Sequence, residues 1–281
     1  MTTIKTNTDH MDHTDDDNCV EPVDVTNITE LLVASLANMK IADTATADTT
    51  TSDTDTTNTY VCLDTNFKKC VKGYHLINDD PIKETPWEDI NSLILKASGC
   101  EVKSQSNGSH KSGVDLYCSL GNFSNKSTQY DAGKKSFKIS SYRLTTVCSD
   151  KTPGTIVDII SEINKRKNFN YYSIIVREAT DKHILYDWYL IPSTYPEFNP
   201  SSYTWHPKYG KTGKNKGNIT GWETESLNGS TMSISFSMSS QLWLHINITE
   251  TMKKFIISSC TVNLGRKYNY IQLYDNDINS V

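Results

Sequence analysis

The chain has 281 residues and a formal net charge of −5, a length sufficient for one large domain or two small ones. The charge is unevenly divided: residues 1–59 carry twelve acidic and two basic side chains, a net charge of −10, whereas residues 60–281 carry 26 basic and 21 acidic side chains, a net charge of +5. No stretch approaches the roughly 20 apolar residues of a transmembrane helix, and the N-terminus lacks the basic and apolar segments of a signal peptide. We therefore expect an intracellular protein without a membrane-spanning segment, whose folded part can accept a polyanionic partner.

Cysteine usage also bears on the cellular compartment of the protein. The seven cysteines include no CxxC pair, which argues against a disulfide framework and a zinc site and favours a reduced compartment. Seven Asn-x-Ser/Thr triplets are what a secreted glycoprotein would show, although a chain rich in Asn, Ser and Thr contains such triplets by chance. A glycosylated structural or interaction protein is therefore an alternative, which sugars in an intact-mass measurement would support.

Residues 1–59 are predicted to be a low-complexity acidic region, mostly disordered, because Thr/Asp tracts bury too little apolar surface to offset chain entropy. One short amphipathic helix is predicted within it, on the spacing of Ile28, Leu31, Leu32, Ser35, Leu36 and Met39. Residues 60–281 are predicted to form the folded domain.

The predicted elements become readable from Thr85 onwards. The stretch TPWEDINSLILKASG predicts a helix, with Thr85 as N-cap, Pro86 at the first helical position and Gly99 at the end. Its apolar stripe is formed by Trp87, Ile90, Leu93, Ile94 and Ala97. Three short strands follow, in CEVKS, GVDLYCSL and NFSNKST, and SFKISSYRLTTV is a further strand-like segment.

A second helix is predicted in TPGTIVDIISEINKRK, with Thr152 as N-cap, Pro153 at the first helical position and a cationic last turn. Its apolar stripe is formed by Ile156, Ile159, Ile160 and Ile163. The β-branched and aromatic run YYSIIVREA predicts a buried strand, HILYDWYLI its hairpin partner, and MSISFSMSSQLWLHINI two strands nearer the C-terminus.

The order helix, three strands, helix, strand over about residues 85–180 resembles the PD-(D/E)XK nuclease superfamily, the fold of many type II restriction endonucleases. The resemblance implies an α/β fold with a restriction-endonuclease-like αβββαβ core and a mixed central sheet, extended by C-terminal β-strands. It also implies a Mg²⁺-dependent endonuclease that hydrolyses phosphodiester bonds in double-stranded DNA, with a homodimer as the assembly to test.

The resemblance assigns two residues directly. Asp115, in SGVD on the second strand, matches the superfamily's first acidic position and would bind Mg²⁺. Lys126, in SNKS on the third strand, matches the catalytic lysine that assists the attacking water. The superfamily's usual acid two residues before this lysine is replaced here by Ser124, a poor metal ligand. Lys138, in SFKISS, is the weaker alternative for the lysine.

The missing carboxylate has two candidate replacements. Glu88, on the preceding helix, is the first and would act as a catalytic residue and metal ligand; Glu101, on the first strand, is the second. If Glu88 is the ligand, the first turn of its helix must pack against the strand that carries Asp115. If neither carboxylate reaches the site, Ser124 favours a catalytically inactive nucleic-acid-binding protein on the same fold.

Several side chains around this core suit a phosphate backbone. Those predicted to contact nucleic acid are Gln129, Arg143, Lys165, Arg166 and Lys167, together with Lys208, Lys211, Lys214 and Lys216 of the glycine-rich stretch KYGKTGKNKGN. The neighbouring aromatic residues Tyr203, Trp205, Tyr209 and Trp222 could stack on bases. The sequence contains no P-loop, GxSxG, HExxH or dinucleotide-binding motif that would indicate another chemistry.

Overall fold

A computed structural model describes residues 53–105, 113–149, 152–236 and 240–278. The short helix predicted near residues 28–39 and most of the predicted acidic region lie outside the described residues. The helices are α1 (Asp53–Ile77), α2 (Glu84–Ala97), α3 (Ile156–Arg166), α4 (Glu250–Lys253) and α5 (Tyr270–Ile278). The strands are β1 (Val102–Gln105), β2 (Leu116–Cys118), β3 (Gly121–Asp131), β4 (Ser136–Arg143), β5 (Tyr171–Ala179), β6 (His183–Pro192), β7 (Trp205–Tyr209), β8 (Ile219–Thr224), β9 (Thr231–Ser235), β10 (Gln241–Asn247) and β11 (Ile256–Asn263).

Helix α1 was not predicted, and it crosses the boundary that the sequence placed after residue 59. It buries Leu63, Phe67 and Val71, which recur every four residues on one helical face. The Thr/Asp-rich start of this helix resembles the tract before it, which hides the periodicity that begins at Leu63. In the described part of the chain, no helix combines the length and apolar character needed to cross a membrane.

Helix α2 begins two residues earlier than predicted, at Glu84 rather than Pro86, with Lys83 rather than Thr85 at the N-cap position. The predicted apolar stripe is wrong at Leu93, which is 56% exposed, and at Ala97, which is also exposed. The buried face instead consists of Trp87, Asn91, Ser92, Ile94 and Leu95. Two polar residues on the buried face broke the apolar periodicity that the sequence showed.

Helix α3 begins at Ile156 with Thr155 as its N-cap, so the predicted cap at Thr152 is wrong. The Thr155 hydroxyl accepts a hydrogen bond from the Asp158 backbone N–H at 3.2 Å and donates one to the Asp158 carboxylate at 2.7 Å. Between the two threonines, Gly154 packs directly against the Val147 carbonyl, where a Cβ would collide.

The strands join into one mixed sheet in the order β11, β6, β5, β3, β4, β10, β9, β8, β7, and β2 and then β1 extend from the start of β3. Strand β3 is parallel to β5 over Phe123–Gln129, and its other pairings are antiparallel. The predicted α/β class with a mixed sheet is confirmed, and β7–β11 extend this sheet.

Strand β3 belongs to two diverging parts of the sheet. Its first residues pair with β2 as far as Phe123, and its last two, Tyr130 and Asp131, pair with β4. Between these pairings, residues 124–129 have β5 on one side and, within the described part of the chain, no strand on the other. The sheet therefore forks along one edge of β3, and this open edge carries the candidate site.

Two hydrophobic cores lie on opposite faces of β3, β5 and β6. One packs α1 and α2 against the sheet around Phe67, Trp87 and Trp188. The other packs α3 and the inner faces of β4, β9 and β10 against Tyr172 and its neighbours. Because side chains alternate along β3, Asn125 points to the first core whereas Ser124 and Lys126 point towards the second.

Candidate active site

Asp115 is held at the fork by its backbone. Its N–H donates to the Phe123 carbonyl at 2.8 Å, which extends the β2–β3 pairing by one residue. Two residues earlier, the Gly113 N–H donates to the Arg166 carbonyl at 3.1 Å. A Cβ at Gly113 would lie 2.9 Å from that oxygen and 2.9 Å from the Phe169 ring, so glycine is required for this close approach.

The Asp115 carboxylate pairs with the open edge of β3. Its Oδ2 accepts the Asn125 backbone N–H at 2.7 Å and the Ser124 hydroxyl at 3.3 Å, and it lies 3.6 Å from Lys126 Nζ. None of the hydrogen bonds formed within the described residues uses Asp115 Oδ1. The side chain is 24% exposed, so the carboxylate is accessible from solvent while it satisfies a strand-edge donor.

Lys126 lies between two carboxylates. Its Nζ donates to Glu84 Oε1 at 2.9 Å and to the Asn125 carbonyl at 2.7 Å, and its side chain is only 12% exposed. Burial on its own would lower the pKa of Lys126, but Asp115 and Glu84 outweigh it and the pKa is raised. Lys126 therefore stays positively charged across the physiological pH range.

Glu88 follows Glu84 by one helical turn and lies near the same group of charges. Burial raises the pKa of Glu88, and the Asp115 carboxylate raises it further, against the opposing effect of Lys126. The first turn of α2 approaches Asp115 through Glu84, because Lys126 Nζ lies 2.9 Å from Glu84 Oε1 and 3.6 Å from Asp115 Oδ2. Sequence reasoning missed Glu84 because it placed the helix start at Thr85; the spacing of two glutamates four residues apart was the available signal.

Two tyrosines are buried beside this group of charges. Burial raises the pKa of Tyr172 and of Tyr142, so both hydroxyls remain protonated. Tyr142 lies where the register between β4 and β10 shifts, at an irregularity between Gln241 and Trp243. Sequence reasoning had no signal for either tyrosine, because their position depends on the pairing of β3 with β5 and of β4 with β10.

Two weaker candidates lie away from Asp115. Glu101 is exposed, and its backbone pairs with Ser119 beyond the far end of β2. Lys138 is exposed on the outer side of β4, where its Nζ lies 4.1 Å from the centre of the Trp243 ring. Neither side chain can complete a site around Asp115.

The residues predicted to contact nucleic acid are spread over the surface. Arg143 is exposed at the end of β4, and Gln129 is exposed on β3 but on the opposite face from Lys126. Lys211, Lys214 and Lys216 are exposed on the β7–β8 loop, and Lys208, on β7, lies 3.8 Å from Glu223. This loop joins β7 and β8, the last two strands of the sheet on the β4 side of β3, so it lies at that end of the sheet.

Other predicted contact residues have structural roles. Arg166 donates to Glu162, to the Arg143 carbonyl and to Thr146, and is therefore not available as a free phosphate ligand. Tyr203 is buried, and Trp222 donates its indole N–H to the Gly154 carbonyl at 3.1 Å. Tyr209, by contrast, is 54% exposed.

Among the described residues, no group of three His, Cys, Asp or Glu side chains is close enough together to hold a metal ion. Searches against protein-family models, curated proteins and solved structures find no match to this chain.

Proposed function

We propose that this chain is a Mg²⁺-dependent endonuclease that acts on double-stranded DNA through a restriction-endonuclease-like core. The observation that carries the proposal is the placement of Asp115 and Lys126 at the fork, with Lys126 Nζ 3.6 Å from Asp115 Oδ2. Supporting it, α2, the antiparallel run β1–β3, α3 and the parallel strand β5 occur in the αβββαβ order of the resemblance, with one additional strand, β4, inserted between β3 and α3.

Asp115 and Glu88 are the two carboxylates that would hold Mg²⁺ in this proposal. Mg²⁺ is commonly held by one or two carboxylates, with waters and substrate phosphate oxygens completing its octahedron. Burial raises the pKa of Glu88 and the Asp115 carboxylate raises it further; a bound cation would relieve this second effect. When bound, Mg²⁺ would offset the negative charge that builds up on the scissile phosphate and acidify a coordinated water.

Lys126 contributes a fixed positive charge to this chemistry. Because its pKa is raised, it does not accept a proton from water at neutral pH. It instead donates hydrogen bonds to the attacking water or to a non-bridging phosphate oxygen, and it exchanges its contact with Glu84 for one with substrate. Glu84 holds the ammonium group in place before DNA binds.

Supercoiled plasmid tests the proposal, because a single cut changes its mobility. We expect cleavage with Mg²⁺, none with excess EDTA, and a loss of at least about 100-fold in Asp115→Asn and Lys126→Met. The matched controls are Lys138→Met and Glu101→Gln, which remove the same charges outside the site and should retain activity. Wild-type activity in Asp115→Asn would contradict the assignment.

A catalytically inactive nucleic-acid-binding protein on the same fold is the second candidate. It is favoured by Ser124, whose hydroxyl occupies the position of the superfamily's usual acid, and by Lys126 already pairing with two carboxylates. Salt-sensitive binding of duplex DNA without cleavage in Mg²⁺ or Mn²⁺ would select this candidate.

A further inference from the structure

Asn125 contacts two charged groups of the site through its backbone and helix α2 through its side chain. Its backbone N–H binds Asp115 Oδ2 at 2.7 Å, and its carbonyl accepts Lys126 Nζ at 2.7 Å. Its side chain points to the opposite face of the sheet, where its Oδ1 accepts the Asn91 Nδ2–H of α2 at 2.6 Å. Asn91 follows Glu84 by seven residues and Glu88 by three, so it lies on the same side of that helix.

The Asn91–Asn125 contact lies fully inside the protein. Both side chains are 0% exposed, and Asn91 Nδ2 also donates to the Ser173 hydroxyl at 3.0 Å. Trp188 donates to the same hydroxyl at 2.9 Å. The contact therefore belongs to a polar layer between α2 and strands β3, β5 and β6.

This polar layer is incompletely paired. Among the described residues, Asn91 Oδ1, Asn125 Nδ2 and the hydroxyl of the adjacent Ser92 are buried and have no hydrogen-bond partner. Buried polar atoms without partners reduce stability, whereas apolar side chains of similar shape at both positions would avoid this penalty. Stability is thus a poor explanation for two asparagines at this place.

We propose that Asn91 and Asn125 are positioning residues, whose directional amide contact sets the register of α2 against β3. In this role the pair fixes where Glu84 and Glu88 of the helix meet Lys126 and Asp115 of the fork. Apolar packing would allow the helix to slide or rotate, and each residue of slippage moves a helical side chain by 1.5 Å along the axis and by about 100° around it. The inference rests on the proposed function for its catalytic consequence, but not for its geometry.

The test compares the double variant Asn91→Leu/Asn125→Leu with Ser92→Ala. The control removes a buried unpaired hydroxyl from the same helix without touching the amide contact. We expect the double variant to fold with an unchanged or higher urea midpoint, and its kcat on plasmid to fall about 100-fold while its affinity for uncut plasmid is unchanged. Ser92→Ala should match the wild type in kcat.

A second readout does not require activity. A double-mutant cycle with Glu84→Gln and Lys126→Met measures, by urea unfolding, how strongly these side chains interact. We expect measurable coupling in the wild-type and Ser92→Ala backgrounds and none, within error, in the leucine background. If the wild type does not cleave plasmid, the proposed function fails while this cycle still decides the positioning role.

Two outcomes would overturn the inference. The first is a folded leucine variant that keeps both its kcat and the coupling between Glu84 and Lys126. The second is failure to fold of both the leucine variant and the smaller Asn91→Ala/Asn125→Ala variant, because the pair would then be a determinant of stability. If the leucine variant fails to fold and the alanine variant folds, the alanine variant supplies the same two readouts.

Discussion

At the scale of single residues, Ser124 is where this chain departs most from the superfamily that it resembles. Its side chain is 3% exposed and its hydroxyl donates to Asp115. A carboxylate at this position would face Asp115 directly, in a place where only a cation or a proton could offset the repulsion. We therefore expect Ser124 to make the metal-free protein more stable than an acid would, and to leave the proposed Mg²⁺ site with one ligand fewer.

We predict that Ser124→Asp makes the stability of the protein depend on Mg²⁺. Without metal, the buried third carboxylate should lower the free energy of unfolding by about 1–3 kcal/mol. Added Mg²⁺ should recover part of this loss, because a ligand that binds only the folded state stabilises it. Urea unfolding with and without Mg²⁺ measures the effect, with Ser124→Asn as the uncharged control. An equal response to Mg²⁺ in all three proteins would contradict the proposed metal position.

Glu88 leads to a prediction about pH. Its folded-state pKa is raised, so ionised Glu88 reduces stability above that pKa, and the penalty disappears as pH falls below the ordinary value. We predict that Glu88→Gln raises the free energy of unfolding at pH 7 by up to about 1 kcal/mol, because solvent partly screens this half-buried carboxylate. The gain over wild type should vanish near pH 4, as unfolding curves at the two pH values will show. Lower stability of Glu88→Gln at pH 7 would contradict the burial of this carboxylate beside Asp115.

Asp115, Lys126 and Glu88 were selected as candidates by the resemblance, from residue type and element order, and their roles stay predictions. Sequence reasoning could not find Glu84, whose role depends on the exact first residue of α2. Gln129 shows a related limit, because which face of β3 a residue occupies is set by the strand register. Local sequence therefore supplied the candidate side chains, and long-range pairing decided which of them meet.

At the scale of elements, the end of α1 is tied to the sheet by His75. Its Nε2 lies 2.9 Å from the Tyr186 hydroxyl and its Nδ1 lies 3.1 Å from the Asn78 carbonyl. The Tyr186 hydroxyl also accepts the Ile82 backbone N–H at 3.0 Å, two residues before α2 begins. A neutral imidazole satisfies this arrangement, with Nδ1 as donor and Nε2 as acceptor.

We predict that His75 makes the protein less stable in mild acid. Burial lowers the pKa of His75, so the unfolded chain takes up a proton at a higher pH than the folded one, and stability falls as pH drops below about 6.5. In His75→Gln this contribution is absent, so the free-energy difference between wild type and variant should shrink from pH 7.5 to pH 5. Urea unfolding across that range measures it, and a constant difference would show that His75 titrates alike in both states.

The elements themselves were predictable where their sequence patterns were local. The strands β3, β5 and β6 and the helices α2 and α3 were predicted, but both helix starts were displaced. In both cases the prediction placed a proline, Pro86 or Pro153, at the first helical position. The helices instead begin at Glu84 and Ile156, and the hydrogen-bonded cap of the second is Thr155. Helix α1 was missed because its buried stripe becomes visible only after a Thr/Asp-rich first turn.

At the scale of the whole molecule, the same helix sets the limit of what can be removed. We predict that deleting residues 1–52 leaves the urea midpoint unchanged, because the first side chain described as buried is Leu63. Deleting residues 1–77 should abolish folding, since burial of Leu63, Phe67 and Val71 contributes about 1.5–3 kcal/mol each. Far-UV circular dichroism and urea unfolding of the two truncated chains make the comparison. A folded chain lacking α1 would contradict this account of the first core.

The order of strands across the sheet was beyond the sequence. Each strand's alternation predicts a buried face but not its neighbour, and β4 pairs with β10 at a distance of about a hundred residues along the chain. The homodimer implied by the resemblance likewise stays a prediction, to be tested by light scattering of the purified protein.

Because β3 and β5 are shared between the two cores, we expect the cores to unfold cooperatively. Tyr171 and Ile175 of β5 belong to the core under α1 and α2, whereas Tyr172 and Ile174 belong to the other. Neither core can open while this pair of strands stays fully packed, so a loss of packing in one is transmitted to the other. Trp87 and Trp188 sense the first core and Trp222 contacts the second, so fluorescence and circular dichroism should follow a single coincident transition. The chain would then behave as one folding unit despite its forked sheet.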